Sequence, residues 1–567
     1  MPKDLIPIRL VGGINNRHTP IDLFLMGKGD LVDLVNADTT YYGEIRPLRP
    51  LTALNATAES SAIHSLFRAN SVLLVGTSTT LKYLNGTALT TLLSSLASAN
   101  MSFAHAGNWV FFGEGTNKGA VYTTTPVGTD WGLAIPAAGP TTATGAAGNP
   151  DGTYTCYYRY RITLPDGTVI LTALSTVSSQ ISPSAQKISW SDIVHASFTG
   201  ATSVQVDLFR TYTGAGGTYL VATLDEGTTT YTDDLSDADL ITQTAYAETG
   251  YWPPPSNPSI VRYHPGADRV FAAVDNALYW SEAAKYHTFL YDEDASEYTN
   301  INDVFLSGED ITALEMLDEQ MYIGSPNTWR RLKGTDPDSW SFEDTSASKG
   351  PVSKRATVRT RWGLIYPGND GRMWLFNGFD AVPFLERFVF DTDPDSTCHA
   401  TFDGRFYRLF YGDSTYPELV IDLYGFPEIS PRAIKSTRDA EASFYDNHND
   451  EFYLGDSDGY VRNSADTDES VTITIETPEI PVEDLTRFGD MAKLVLRCDT
   501  DSSDLTVTPK RDGVSGSALT AINNSALTFE HVPLDLNISH TLSFILSITS
   551  SGSVVIRDPL LIGKEDG

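Results

Sequence analysis

The chain has 567 residues, of which 41% are hydrophobic and 20% are charged, and its formal net charge is -33. This length exceeds what one hydrophobic core usually serves, so several domains or one large closed β architecture are expected, and the apolar content excludes wholesale disorder. So acidic a chain is not expected to bind nucleic acid by phosphate neutralisation, although an acidic wall would let DNA slide past. Most of the Asp and Glu side chains are expected to solvate the surface.

Three widely spaced cysteines, Cys156, Cys398 and Cys498, form no CxxC or Cys/His metal pattern. Because their number is odd, we expect reduced, buried thiols and neither a disulfide framework nor a zinc site. The amino-terminal stretch MPKDLIPIRLVGGINNRHTP has no uninterrupted apolar run, so no secretory signal is expected. No stretch has the length and apolar character that predict a membrane span.

Short alternating apolar runs bounded by Gly, Asn, Asp and Pro predict strands along most of the chain. Helices are expected only over residues 30–37 and 90–97. Residues 1–54 are interpreted as a segment that leads into a repeated β region.

The repeated unit is an apolar strand, a polar turn, a second apolar strand that ends near a glycine, another turn and an aromatic strand. Glycines recur at this position at a nearly constant spacing in the second half of the chain, which matches a four-stranded propeller blade of about 40–50 residues. Seven segments fit, starting at Ser65, Ser102, Ile260, Ile311, Ala356, His399 and Ala442.

The sequence therefore predicts an all-β chain built on a β-propeller of about seven blades, because small sheets bury their faces by stacking around an axis. The blades are assigned to residues 55–135 and 256–470. Two stretches break the repeat. Residues 136–255 lie between a small-residue linker and the run Tyr251-Trp252-Pro253-Pro254-Pro255, and their strand order predicts an inserted β-sandwich similar to fibronectin type III. Residues 471–567 predict a C-terminal β-sandwich.

No GxSxG, HExxH, Walker A or dinucleotide-binding motif is present, so we expect no enzyme and no cofactor. The stretch Asn369-Asp370-Gly371-Arg372-Met373-Trp374 approaches the Asp-box turn of sialidase-like propellers, and we interpret it as a hairpin turn. The acidic runs at 391–395 and 456–459 could offer oxygens to calcium, but neither completes an EF-hand loop, and we interpret both as turns and expect no metal.

A basic patch is the first candidate site. It could dock an acidic partner such as a neighbouring copy, or it could simply protect strand edges with charge. Its residues are Arg330, Arg331, Lys333, Lys354, Arg355, Arg359 and Arg361.

An acidic loop between two predicted blades is the second candidate site. It could form a rim or lumen that repels DNA phosphates, or it could be a solvated loop. Its residues are Asp292, Glu293, Asp294, Glu297, Asp303, Glu309 and Asp310.

The amino-terminal run GGINNRHTPIDLFLMGKGDLVDLVNADTTYYGEIRPLRP resembles the opening of tail nozzle and tail tubular (hub, stabilisation) proteins of short-tailed double-stranded DNA bacteriophages. In that family a glycine-bearing segment, a helix and a "G–x–I–x–x–R–P" turn precede a propeller. The stretches RVFAAVDNALYWSE, MYIGSPNTWRRLKGTDP, GPVSKRATVRTRWGLIY and DGRMWLFNG resemble these proteins too. The matching amino-terminal residues are Gly29, Asp30, Leu31, Asn36, Gly43, Ile45, Arg46 and Pro47.

The resemblance implies a structural virion protein, assembled in the host cytoplasm, that forms a homo-oligomeric ring, a hexamer in the family. Such a ring lies below the portal and head-to-tail adaptor, extends the DNA channel, retains the genome and conducts it at ejection. Tail fibres or a tail tip protein would be further partners, and the two sandwiches would be contact surfaces. Transient DNA passage without specific binding and no membrane insertion are implied.

Two alternatives remain at this stage. One is a propeller that binds carbohydrate or degrades glycans, which needs a cleft with converging aromatic side chains and carboxylates. The other is a receptor-binding adhesin on the virion surface.

Overall fold

The computed structural model of the chain describes residues 5–39, 43–48, 51–213, 215–247, 251–289, 291–292, 297–298, 300–301, 304–334, 336–464, 470–481, 492–534, 541–550 and 554–564. Strands dominate these residues, beside two short α-helices and one 3-10 turn, which confirms the prediction of an almost entirely β-structured chain. In this part of the chain no helix combines the length and the apolar character that a bilayer crossing requires.

The first part of the chain forms short strands and one helix. The helix starts with a proline, whose fixed φ suits a first turn, and it ends at Gly27, whose φ of 64° suits a left-handed cap. These elements are β1 (Leu5–Ile8), α1 (Pro20–Met26), β2 (Asp33–Val35), β3 (Ala37–Thr39), β4 (Glu44–Pro47) and β5 (Leu51–Ala53).

Two groups of four antiparallel strands follow, each a simple meander. Sheet 1 consists of β6 (Ile63–Ala69), β7 (Val72–Thr77), β8 (Thr80–Asn85) and β9 (Ala88–Leu93). Sheet 2 consists of β10 (Ser102–Ala106), β11 (Trp109–Gly113), β12 (Lys118–Tyr122) and β13 (Val127–Thr129).

The next region has two sheets of its own, ordered β14-β17-β20 and β16-β15-β18-β19. Its buried Arg210 pairs with Asp233 at 2.8 Å, so two charges inside this unit compensate each other. Its elements are β14 (Thr141–Ala147), β15 (Cys156–Thr163), β16 (Val169–Leu171), β17 (Gln186–Ser191), β18 (Ser203–Tyr212), β19 (Ala215–Asp225), β20 (Tyr231–Asp233) and α2 (Asp237–Leu240).

Sheets 3 and 4 resume the four-stranded pattern. Sheet 3 consists of β21 (Ile260–His264), β22 (Arg269–Val274), β23 (Ala277–Glu282) and β24 (Lys285–Phe289), and β27 (Asn300–Ile301) adds to β23. The short strands β25 (Tyr291–Asp292) and β26 (Glu297–Tyr298) pair with each other. Sheet 4 consists of β28 (Ala313–Leu317), β29 (Gln320–Gly324), β30 (Trp329–Lys333) and, after the 3-10 turn Pro337–Ser339, β31 (Ser341–Asp344).

Sheets 5, 6 and 7 complete the series, and the outermost strand of sheet 7 is β5, from the other end of the chain. Sheet 5 consists of β32 (Val358–Thr360), β33 (Gly363–Pro367), β34 (Met373–Phe376) and β35 (Ala381–Phe384). Sheet 6 consists of β36 (His399–Phe402), β37 (Phe406–Phe410), β38 (Glu418–Asp422) and β39 (Arg432–Ser436). Sheet 7 consists of β40 (Ala442–Asp446), β41 (Glu451–Gly455), β42 (Val461–Ser464) and β5.

The remaining strands form two sheets that also take in the start of the chain. Strands β1 and β4 pair with β50, and β2 lies between β39 and β43, so sheet 6 continues into this region. The strands are β43 (Val471–Glu476), β44 (Ile480–Pro481), β45 (Ala492–Asp499), β46 (Thr506–Arg511), β47 (Val514–Ser515), β48 (Thr528–Leu534), β49 (Thr541–Ser550) and β50 (Val555–Lys564).

The first strands of sheets 1 to 7 contact one another in a closed order. Phe67 of β6 stacks on Phe103 of β10 with ring centroids 5.1 Å apart, and β10, β21, β28, β32, β36 and β40 follow in successive contact. Strand β40 then contacts β6 again. We call these seven sheets the ring, and we call the end at which the first strands begin its incoming end.

Both predicted helices are wrong. Residues 30–37 contain β2 and the start of β3, because Leu34 pairs across to Ile475 and Asn36, with φ of 54°, breaks the run between the two strands. Residues 90–97 contain the end of β9, which pairs with β8. In both places pairing with a neighbouring strand prevails over local helical spacing.

The region of residues 141–233 shares one buried core with sheets 2 and 3. Trp109 of β11 donates an indole hydrogen bond to Asp166 Oδ2 at 2.9 Å, in the turn between β15 and β16. The buried His287 ring packs against Trp109 and Phe111, and burial lowers its pKa to about 4. Apolar packing and the Trp109–Asp166 hydrogen bond therefore fix this region to the ring, while the His287 ring joins sheet 2 to sheet 3.

In three of the seven sheets a glycine ends the second strand, and the segment that enters the next sheet passes close to that glycine. A Cβ atom placed at Gly113 would lie 2.3 Å from the oxygen of Pro258, ahead of sheet 3. At Gly324 it would lie 3.0 Å from the Pro351 ring, ahead of sheet 5. At Gly455 of sheet 7 it would lie 2.7 Å from the oxygen of Ile63 in sheet 1, so the same approach recurs where the contact order closes.

We expect Gly455→Ala to destabilise the protein by about 1–3 kcal/mol, because the added methyl group overlaps backbone that has little room to move. The measurement is denaturant unfolding followed by tryptophan fluorescence. Gly266→Ala is the matched control, since its new methyl group would meet only the His264 ring, at 3.3 Å, and its effect should stay within about 0.5 kcal/mol. Equal stability of the two variants would contradict this account of the glycine.

Candidate functional site

A cavity of about 570 Å³ lies inside the ring and is lined by residues of all seven first strands. Its wall combines aromatic and aliphatic side chains with polar and charged groups. The lining side chains from the first strands include Phe67, Phe103, His105, Arg262, Tyr263, Glu315, Met316, Arg359, Thr401, Phe402, Phe444 and Tyr445. Ligand sites are concave and place polar groups among apolar and aromatic side chains, so this cavity is the candidate site.

An ion pair spans two neighbouring first strands in the cavity wall. Arg262 of β21 pairs with Glu315 of β28, and its Nε donates to the carbonyl oxygen of Leu314 at 2.8 Å. Burial raises the pKa of Glu315, and the charges of Arg262 and Arg359 oppose that rise. This carboxylate is therefore occupied in joining sheet 3 to sheet 4.

Two adjacent cations occupy the incoming end. Arg355 donates through Nη2 to the Thr397 oxygen at 2.7 Å, and through Nη1 to the oxygens of Glu441 at 2.9 Å and His64 at 3.4 Å. Lys354 donates to the Ser259 oxygen at 3.1 Å. Burial lowers the pKa of Lys354 and lowers that of Arg355 to about 10. The pair thus ties the start of sheet 5 to backbone at the starts of sheets 1, 3, 6 and 7.

The opposite end of the ring opens into a second cavity of about 580 Å³, which we call the mouth. Arg359 and Phe402 line both cavities, so the two are continuous. The residues of the mouth are Leu317, Asp318, Arg359, Thr360, Arg361, Trp362, Gly363, Asn377, Phe402, Gly404 and Asn447.

The predicted basic patch is divided among three places. Lys354 and Arg355 lie at the incoming end, and Arg359 and Arg361 lie in the mouth. The other three members lie on β30, the third strand of sheet 4. There Arg330 pairs with Asp344 at 2.6 Å, Arg331 pairs with Glu343, and Lys333 is exposed.

Three of the seven residues of the predicted acidic loop lie outside the described residues. Glu293, Asp294 and Asp303 are among those that are not described, while Asp292 and Glu297 fall in the paired strands β25 and β26. Glu309 accepts hydrogen bonds from Ser325, at 2.6 Å, and from Asn327, and Asp310 is exposed. The proposed role of this loop as a rim or lumen stays a prediction.

The acidic motifs are engaged locally. Asp370 Oδ1 accepts from the Trp374 indole at 3.0 Å in the turn between β33 and β34. Arg462 pairs with both Asp456 and Asp458, the latter at 2.7 Å. Within the described residues, no group of three or more His, Cys, Asp or Glu side chains is arranged to hold a metal ion.

The three cysteines are buried and unpaired, as predicted. Burial raises the pKa of the Cys156 and Cys398 thiols to about 12 and that of Cys498 to about 11. At neutral pH they are therefore protonated and weakly nucleophilic.

Sequence reasoning missed the pair Arg262–Glu315. Each residue is the single charge in the middle of an otherwise apolar first strand, IVRYH and ALEML. A charge at that position of a repeated unit signals a polar interior at the axis of the repeats, because the neighbouring apolar residues fix the strand in the core.

Comparisons with known proteins identify no family. No protein-family model matches the chain, and no curated protein matches it. The computationally designed Ika8 protein has 12% identity and a TM-score of 0.33, and the match covers 73% of this chain and 99% of that chain. The WD40 domain of Neurospora crassa Pan2 has 9% identity and a TM-score of 0.26, covering 73% and 96%. An exo-β-1,3-galactanase of Phanerochaete chrysosporium has 12% identity and a TM-score of 0.20, covering 74% and 100%. Similarity at this level does not bear on function.

We expect Arg355→Met to destabilise the protein by about 1–2 kcal/mol, because the carbonyl groups of three other sheets lose a charged donor. Arg361→Met is the control, since it removes the same group from an exposed position and should cost less than about 0.5 kcal/mol. Thermal unfolding followed by circular dichroism measures both. A larger loss for the control would contradict the role given to Arg355.

Proposed function

We propose that the chain is a seven-bladed β-propeller with an inserted fibronectin-III-like sandwich and a C-terminal sandwich, and that it serves as a structural subunit of a phage tail. In this proposal several copies, six in the family it resembles, form a nozzle or hub below the portal and adaptor. The assembly extends the DNA channel, retains the genome and conducts it at ejection. Tail fibres or a tip protein bind its outer parts.

The observation that carries the proposal is how the charged groups of the central cavity are used. Glu315 is the one carboxylate among the described lining residues, and it is paired with Arg262. Glycoside hydrolysis uses two carboxylates that flank the reacting bond. A cavity whose charges hold neighbouring sheets together favours a structural role over the glycan-degrading alternative.

The passage for DNA must lie between copies, not inside one ring. The cavity of about 570 Å³ is lined by side chains of all seven first strands, and Lys354 and Arg355 occupy its incoming end. A net charge of -33 gives each copy a surface that repels phosphate groups. A channel enclosed by several such copies would let DNA move without binding it.

The pairing of strands from the two ends of the chain supports a subunit that withstands mechanical stress. Strand β5 completes sheet 7, and β2 joins sheet 6 to the sheet that contains β43 and β49. Because residues from both ends of the chain are built into the same sheets, stress on the terminal strands is distributed over the ring by many hydrogen bonds.

The test is electron microscopy and sedimentation velocity of the purified chain, alone and mixed with the adaptor–portal complex of the same phage. We expect rings with a central hole, six-fold in the class averages, and binding to the adaptor complex. The purified chain without the adaptor complex is the control that shows whether assembly requires this partner. A monomer under both conditions, or turnover of cell-surface glycans by the purified chain, would contradict the proposal.

A further inference from the structure

The mouth of the ring carries two exposed guanidinium groups, those of Arg359 and Arg361. Arg359 lies on β32, and Arg361 lies in the turn just after it, two residues further along the chain. Both are exposed, and both line the mouth. Among the described residues neither has a carboxylate partner within ion-pair distance, in contrast to Arg330 and Arg331 on β30.

The mouth holds these two groups ready for a ligand. The Arg361 guanidinium lies 4.2 Å from the centre of the Trp362 ring, so it is positioned by stacking before anything binds. The amide groups of Asn377 and Asn447 and the Phe402 ring line the same cavity. A planar guanidinium that is already placed binds a carboxylate with two parallel hydrogen bonds.

Negative charge near the mouth is limited. Asp318 lies in its lining, and Glu315 lies deeper, in the central cavity, where it is paired with Arg262. Among the described residues that line the mouth, two positive charges therefore outnumber the one unpaired negative charge. This makes the mouth a positively charged cavity on a chain with a net charge of -33.

We infer that the mouth binds an acidic segment of a second copy of this chain through Arg359 and Arg361. The inference rests on the proposed function, which requires contact between copies. Charge complementarity identifies the occupant. The chain has 72 Asp and Glu residues and 39 Lys and Arg residues, so carboxylates are the most numerous charged groups that a neighbouring copy can present. Duplex DNA fits less well, because tight phosphate binding needs many cations and the mouth offers two.

The experiment measures self-association of the full chain by sedimentation velocity at low salt. The variants are R359A/R361A, which removes both cations from the mouth, and K333A, which removes an exposed cation from β30 as the control. We expect the double variant to weaken association at least about tenfold, consistent with the loss of two charge-assisted contacts, while K333A leaves it unchanged. A fluorescent hexaglutamate peptide should bind the wild type, compete with self-association and fail to bind the double variant.

The outcomes separate this inference from the proposed function. Association that survives in R359A/R361A overturns the inference and leaves the proposed function standing. A wild-type chain that stays monomeric with and without the adaptor complex, yet binds hexaglutamate through these arginines, overturns the proposed function and the second copy as occupant. Competition by glucuronate as strong as that by hexaglutamate, at equal carboxylate concentration, would assign the mouth to a small acidic sugar instead.

Discussion

The close approach of backbone to backbone at the incoming end is the constraint on which the rest of the structure depends. Where the second strands of sheets 2, 4 and 7 end, at Gly113, Gly324 and Gly455, the segment that enters a neighbouring sheet passes so close that there is no room for a side chain. Successive first strands can therefore lie next to each other around a common cavity. The contact between Gly455 and Ile63 places the last sheet against the first in the same way.

This spacing has consequences for the interior. First strands that lie this close leave a cavity of about 570 Å³, with Lys354 and Arg355 at one end and the pair Arg262–Glu315 in its wall. Charged groups in such a place need partners, because an unpaired buried charge is costly. Backbone carbonyl groups and a neighbouring carboxylate supply them. Arg359 and Arg361, which have no carboxylate within ion-pair distance among the described residues, lie where the cavity opens.

The local part of this architecture could be predicted from the sequence. Each of the seven segments found by inspection falls within one of the seven sheets of the ring, because a strand, a turn and a glycine are local features. The partner of β42 could not be found in this way, since β5 comes from the other end of the chain and pairing over such a separation leaves no local pattern. The predicted helix over residues 30–37 failed for the same reason: β2 gains its stability from β43, far along the chain.

The candidate site shows the same limit. Residue type and spacing grouped Arg359 with Arg361, and the structure places both in the mouth, Arg359 on β32 and Arg361 in the turn after it. The same reasoning grouped them with Arg330 and Arg331, which face Asp344 and Glu343 on the adjacent strand of their own sheet. The spacing of cationic residues in the sequence does not show which carboxylates will lie beside them, because strand pairing decides that.

The most direct test of the closed ring is a disulfide between β5 and β42, where Thr52 and Asn463 are register partners in adjacent antiparallel strands. Such partners lie close enough for a disulfide to form. In the variant T52C/N463C, mass spectrometry after mild oxidation should find the two peptides linked in nearly every molecule, while T52C/K333C should give no such link. Free thiols at both positions in the folded T52C/N463C variant would contradict closure of the ring by the two ends of the chain.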